Sequence, residues 1–329
     1  MGFLSGKGRG EKRWAHIGDL AHLNEEWAEQ EAAPAAWAVG AVRADYMERI
    51  KNLVHTRGVA AAFILLSMIL FLSEGMNAFA AWETGAAAGF DSNIDRSVNG
   101  GESDTYLTAY ASLIWEPSGE SRLGWFGAAT LQGTSFASNS DLNYAVISIS
   151  PGATYFPHAL WRVNISPFFE AKVVNDSDQS ALAFGGQVSM RQQIGKDFYT
   201  GQYYIYKDSR ADVETYSYTE HVIGVFLGVN WTEAVFSEVG YEFSRGDSFR
   251  TVNTRSTIAS GRGKHIIYSE AFGTDVIREE VDQNAIGVGA GIDWNKSLFS
   301  YIVYTYTTIN GDLGSSTSHA GSLGIGYRF

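Results

Sequence analysis

Leu323-Gly324-Ile325-Gly326-Tyr327-Arg328-Phe329 closes the chain, and its polarity alternates without a break back from the last residue. Leu323, Ile325, Tyr327 and Phe329 fall on one face of an extended strand, and Gly324, Gly326 and Arg328 on the other, because successive side chains of a strand point to opposite sides. The same period of two recurs upstream. In 161–173, Trp161, Val163, Ile165, Phe169 and Val173 oppose Arg162, Asn164, Ser166, Glu170 and Lys172. In 181–192, Leu182, Phe184, Val188 and Met190 oppose Gln187, Ser189 and Arg191. Ile223, Val225, Leu227, Val229 and Trp231 share one side of 222–231, and Ile286, Val288, Ile292 and Trp294 one side of 284–294. Segment 105–115 sets Leu107, Ala109, Leu113 and Trp115 against Tyr106, Thr108, Tyr110 and Ser112. In 298–309 both faces carry large apolar groups, so alternation does not separate inside from outside.

The pattern predicts twelve strands, near 82–90, 104–116, 122–133, 144–156, 161–173, 181–193, 197–206, 220–231, 234–245, 283–294, 298–309 and 317–329. Connections alternate in length. Pro117–Ser121, Pro157–Leu160, Gly195–Asp197, Thr232–Glu233 and Asn295–Ser297 are short, whereas Asp91–Ser103, Lys207–Thr219 and above all Gly246–Asp282 are long. Trp82, Trp115, Trp125, Trp161, Trp231 and Trp294 then all lie near the short-turn ends, which makes one aromatic girdle at a membrane interface. A hydrocarbon core offers no hydrogen bonds to a sheet edge, so a sheet with such a surface must close on itself. The expected fold is all-β, a closed antiparallel up-and-down transmembrane barrel with short periplasmic turns and long extracellular loops.

Composition fits. Cys is absent, which excludes a disulfide scaffold and a thiolate metal site. A net charge of −12 argues against a nucleic-acid partner, which needs a basic surface. Near the front, Gly58–Leu72 is the one long apolar run; Arg49, Lys51 and Arg57 precede it and Ala78-Phe79-Ala80 follows. At about 15 residues it is short of the roughly 20 that span a bilayer as a helix, so it reads as a secretory signal peptide cleaved after Ala80. Met47 opens an ordinary signal-peptide start, and residues 1–46 lack any secretion feature. The expected division is a mis-assigned extension over 1–46, a signal peptide over 47–80 and the barrel over 81–329.

The terminal alternation Leu323, Ile325, Tyr327, Phe329 resembles the assembly signal of bacterial outer-membrane β-barrel proteins, and Gly89-Phe90-Asp91-Ser92-Asn93-Ile94 is similar to the first strand and loop of porin-like barrels. The resemblance covers the mature chain and implies a Gram-negative outer-membrane location, a porin-like transport role, a lipid bilayer around the barrel and recognition of the tail by the barrel-assembly machinery.

Parity then gives the lumen. Arg122, Arg162, Arg191, Arg328, Glu170, Lys172, Glu238, Glu242 and Asp293 are expected to line a pore; the four arginines at the periplasmic strand ends could form a basic ring, but charges so placed more often pair with local partners. The expected function is a narrow channel for small hydrophilic solutes, without catalysis. The alternatives are a filled barrel acting as adhesin, scaffold or partner of an export or electron-transfer complex, and an outer-membrane enzyme without a recognisable motif. Gly-x-Ser-x-Gly does not occur in the mature chain, and Gly246-Asp247-Ser248 stands alone as an esterase-like fragment. His158, His221, His265 and His319 are dispersed, without metal-ligand spacing. Asp91, Asn93, Asp95 and Glu102 follow calcium-loop spacing, although Arg96 replaces the usual glycine and an Asx-rich turn explains the same residues. No other cofactor is expected.

Overall fold

The computed structural model describes residues 79–98, 101–116, 122–252 and 266–329. Apart from the backbone of Phe79 and Ala80, the expected extension and signal peptide lie outside the described residues. Thirteen strands are found among those residues: β1 (Phe79–Asp91), β2 (Asp104–Glu116), β3 (Leu123–Phe136), β4 (Tyr144–His158), β5 (Trp161–Val174), β6 (Ala181–Gln193), β7 (Phe198–Ala211), β8 (Tyr218–Asn230), β9 (Val235–Val252), β10 (Ile266–Ser269), β11 (Thr274–Asp293), β12 (Leu298–Gly311) and β13 (Gly314–Arg328). Neighbours pair antiparallel from β1 to β9; β9 then pairs with β11, β11 with β12, β12 with β13, and β13 with β1. Twelve strands therefore close, and β10 is a short extra strand on β11. The closing register runs from Glu83 opposite Arg328 to Asp91 opposite Ala320, and the Phe329 N–H donates to the Trp82 carbonyl at 3.0 Å. The alternating tail is thus the strand that removes the last open edge, which is what hydrocarbon surroundings require.

The two faces follow the predicted parity. Leu107, Ile165, Phe169, Phe184, Val225, Val288 and Leu323 stand exposed on the outer wall, while Glu83, Gln132, Glu170 and Glu242 are buried on the inner side. β12 resolves as well: Ile302 and Tyr304 face out, and Phe299, Tyr301 and Val303 face in as a small apolar cluster with Ala87. The sequence was ambiguous there because the inward rings lie flat on the neighbouring strand. Tyr301 covers Gly324 and Phe299 covers Gly326, and a Cβ at either glycine would overlap the ring. Tyr110 over Gly85, Tyr203 over Gly224 and Tyr199 over Gly228 repeat the arrangement around the wall.

Trp125, Trp161, Trp231 and Trp294 stand exposed at the short-turn ends, with Trp82 and Trp115 half-buried. The indoles of Trp231 and Trp294 donate to Ser237 and Ser300 at 2.8 and 3.0 Å. A second belt, at the opposite edge of the apolar band, consists of Tyr204, Tyr304, His221 and His319.

The expected long loop Gly246–Asp282 is mostly sheet. β9 runs on to Val252 and β11 starts at Thr274, with continuous pairing from Asp275 opposite Val252 to Ile292 opposite Val235. Residues 253–265 lie outside the described residues. Alternation did not announce this extension because both of its faces are covered: Ser248, Arg250, Thr251, Val276 and Ile277 are at most 1% exposed. It continues the wall past the apolar band and leans over the extracellular mouth.

Candidate functional site: the capped lumen

The extracellular mouth carries a small core of its own. Ile94 from the β1–β2 loop, Phe136 at the end of β3, Leu142 and Tyr216 from two 3-10 turns, Phe249 in β9, Phe272 in the β10–β11 turn and Val276 in β11 form one buried apolar cluster. These residues come from opposite sides of the ring, so the cluster spans the opening. The Phe249 ring stacks on Phe272 at 5.7 Å and meets Tyr216 edge-on at 5.4 Å.

A polar latch backs the cluster. Arg250, fully buried, donates to Glu279 Oε1 at 3.2 Å, the Gly314 carbonyl at 2.8 Å, Ser316 Oγ at 2.8 Å and the Arg96 carbonyl at 3.3 Å. Glu279 also accepts from the Leu313 N–H. Arg96 holds a left-handed φ of 53° and donates to Ser248 Oγ at 3.2 Å. A non-glycine residue at positive φ persists only where its surroundings fix it, and here the bonds through Arg96 do so. At the rim, burial alone would raise the Asp104 carboxyl, but the N–H groups of Asn139, Ser138 and Thr105 and the Asn139 amide hold it below its usual value. On the extension, burial raises the Asp247 carboxyl, which Arg278 opposes from 2.9 Å.

The expected calcium-loop residues belong to this latch. Asp91 accepts from the Asn93 N–H and from Ser318, Asn93 accepts from the Ser97 N–H, and Asp95 accepts from the Glu102 N–H and from Thr251. Among the described residues no three His, Cys, Asp or Glu side chains converge as a metal would need. Ser248, the esterase-like serine, is buried and bonded to Arg96 and to the Phe249 carbonyl.

Below the cap the inner wall is charged. Lys207 and Glu170 pair at 3.1 Å, both buried. Tyr203 donates to Glu242, and Lys172 lies 5.0 Å from the Tyr144 ring centre. At the periplasmic end, Arg162 and Arg191 face each other in register on β5 and β6. Arg162 donates to Asn164 at 3.1 Å, and Arg191 sits 4.0 Å over the Tyr199 ring, whose hydroxyl donates to Glu238 at 3.1 Å. Arg122 is exposed just before β3. Arg328 lies across the lumen, held between Glu83 at 3.1 Å and Asp293 at 2.7 Å. The four arginines do not make a ring. Three form an arc over β3 to β6, and the fourth is enclosed by two carboxylates on the far side. Sequence reading did not bring Lys207 to the inner wall, nor Arg96, Arg250 and Glu279 together. Lys207 lies one residue past the expected strand end, and the other three meet only through pairing across the mouth.

No family model matches the chain, and no curated protein does. Solved structures do share the architecture. An outer membrane channel from Pseudomonas putida F1 superimposes with a TM-score of 0.53 at 8% identity, covering 77% of this chain and 97% of that one. The NanC porin gives 0.43 at 10% identity, covering 74% and 98%. The KdgM porin in complex with disordered oligogalacturonate gives 0.40 at 9%, covering 75% and 99%. The closed twelve-strand wall, its apolar band and its two aromatic belts define a bacterial outer-membrane β-barrel. The chain resides in that membrane, and its fold is one that outer-membrane channels use.

Proposed function

We propose that this barrel is a narrow channel for small hydrophilic solutes, shut at its outer mouth by the folded loops in the conformation described. The observation that carries the reading is the inner wall. Charged and amide groups line it from Arg162 and Arg191 at the periplasmic end, through Glu83 and Gln132, to Lys207, Glu170 and Glu242. A desolvated charge costs several kcal/mol unless paired or hydrated, and a barrel that only had to be filled could use small and branched apolar residues, as eight-stranded ones do. Twelve strands lie between filled eight-stranded barrels and open sixteen-stranded porins. The shared fold with the Pseudomonas channel supports the reading by analogy. The basic arc biases the inner mouth toward anions, moderated by Glu238 and Asp293. Leu323, Ile325, Tyr327 and Phe329 serve as the signal to the barrel-assembly machinery. The reading contains no catalytic step.

A second reading, a non-conducting barrel that displays its loops to a partner, draws on the seven-residue core across the mouth. Planar-bilayer recording of the refolded chain, alone and with the latch removed by Arg250→Ala, separates the two. Discrete openings that become more frequent in the variant support the channel; silence from both forms supports the display barrel.

A further inference from the structure

The outer wall carries one arrangement twice. On β7 and β8, Tyr206 lies directly opposite His221; Tyr204, two residues along, bonds the His221 Nδ1 through its hydroxyl at 2.8 Å, and the Tyr206 ring packs 5.2 Å from the imidazole. On β12 and β13, Tyr306 lies opposite His319, Tyr304 bonds the His319 Nδ1 at 2.7 Å, and the Tyr306 ring packs at 5.0 Å. Both histidines are exposed on the lipid side. Each has one ring nitrogen committed to a phenol, and Nε2 has no hydrogen-bond partner among the described residues. When the phenol is the donor to Nδ1, the imidazole's proton sits on Nε2, as an outward N–H donor.

Height fixes what that donor meets. Below His221 on β8 the outward residues are Ile223, Val225 and Leu227, all exposed, and the turn after them carries Trp231 of the inner girdle. From Trp231 up to His221 is about 33 Å of strand at ~3.3 Å per residue, or about 23 Å of height at the ~45° tilt usual for such barrels. That matches an apolar band of about 25 Å. On β13, Tyr327, Ile325 and Leu323 lead up to His319 in the same way. The two imidazoles therefore stand at the first polar level above the acyl chains of the outer leaflet. In register with His221 on the next strand is Arg245, 61% exposed and held by Glu280 at 2.7 Å, with Asp282 at 3.7 Å.

We infer that the outer wall holds two equivalent docking sites for the phosphate of an outer-leaflet lipid headgroup, one on Tyr204, Tyr206 and His221 and the other on Tyr304, Tyr306 and His319. Phosphate oxygens are acceptors, and each site offers the Nε2–H and the O–H of Tyr206 or Tyr306, which have no hydrogen-bond partner among the described residues. The lipid's acyl chains lie along the apolar band beneath. Arg245 adds a cation at the first site, largely offset by Glu280 and Asp282, so the two sites are of similar strength.

The refolded barrel in phosphatidylglycerol nanodiscs, released into the gas phase for native mass spectrometry, should retain up to two phospholipids. His221→Phe and His319→Phe keep the ring stacking and remove the N–H; each should weaken retention of one lipid about five- to tenfold, and the double variant should lose both. His221→Gln with His319→Gln restores an N–H donor and should recover most of the retention. Retention unchanged in the double Phe variant, while the heat-modifiable barrel band is intact, would overturn the inference. So would equal retention of a neutral glycolipid with the same acyl chains, or displacement of the lipid by millimolar inorganic phosphate.

Discussion

Replacing Arg250 with Ala tests whether the outer mouth is a latch. The side chain is fully buried and donates to Glu279, Ser316 and the Gly314 and Arg96 carbonyls, the first contact being an ion pair in which neither side chain touches water. Its removal takes the Arg250 cation from the buried Glu279 carboxylate, which still accepts from the Leu313 N–H, and leaves the Gly314 and Arg96 carbonyls without this donor. Breaking a buried pair by deleting one partner costs roughly 3–5 kcal/mol. The loss falls on the cap, because the wall is held by twelve strand pairings that Arg250's side chain does not make. At about 1.4 kcal/mol per tenfold, the cap's opening equilibrium should shift by about two to three and a half orders of magnitude. Hydrogen exchange read peptide by peptide in detergent should show protection lost over 246–252 and 274–282 and kept in β4 to β6. Arg250→Met combined with Glu279→Leu removes both charges together and should restore much of the protection, since apolar replacement of a whole buried pair is often neutral. Protection over 246–252 that is the same in the Ala variant as in the parent would refute the latch.

Four further outcomes are expected. Val225→Arg and Ile165→Arg put charge on the lipid side and should each cost roughly 2–4 kcal/mol in a urea refolding titration, while Gln187→Arg on the inner face should cost far less; equal tolerance would reverse the assigned faces. Deleting Phe329 removes its N–H bond to Trp82 and its edge-on contact with Tyr327, and should lower outer-membrane abundance without blocking secretion, as a membrane-fraction immunoblot would read. Arg122→Gln with Arg162→Gln should move the reversal potential toward cations, with a smaller change in 1 M salt, where the Debye length is about 3 Å. The Asp104 carboxyl is held below its usual value, so its tie to residues 138–139 is present above its unfolded pKa of about 4 and lost as pH falls through the lower folded value; exchange protection of Ser138 and Asn139 should fall over that acidic window in the parent and be insensitive to it in Asp104→Ala.

Most of the wall was legible because a barrel strand is a repetitive object. Period two sorted Ile165 from Glu170 and Val225 from Gly224 with no knowledge of neighbours, and the short turns gave the order. Two things were hidden. Strand β12 looked apolar on both faces because Phe299 and Tyr301 rest on Gly326 and Gly324; the alternating glycines of the tail, read together with those rings, carried the signal across two strands. The cap was hidden for a stronger reason. Arg96, Arg250, Glu279 and Ser316 are far apart in sequence and meet only after the ring has formed, and the β9–β11 extension buries both faces, so it lacks the alternation that marks a wall. The basic ring failed on a similar point: parity places Arg328 inside, but only the closing pair of strands brings Glu83 and Asp293 to it.

The pairing of Glu83 with Arg328 joins the first strand to the last, 245 residues apart. Contacts of such long sequence separation are the slowest to form, because the loop entropy must be overcome before they contribute. Until β13 arrives, the sheet is a curved ribbon with two raw edges, each a template for another chain. The hazard therefore lies in the interval between secretion and closure, not in the finished barrel. Its length is set by how quickly the tail finds β1, so a tail variant should show itself first as aggregate in the periplasm, before any loss of stability can be measured in the protein that does insert.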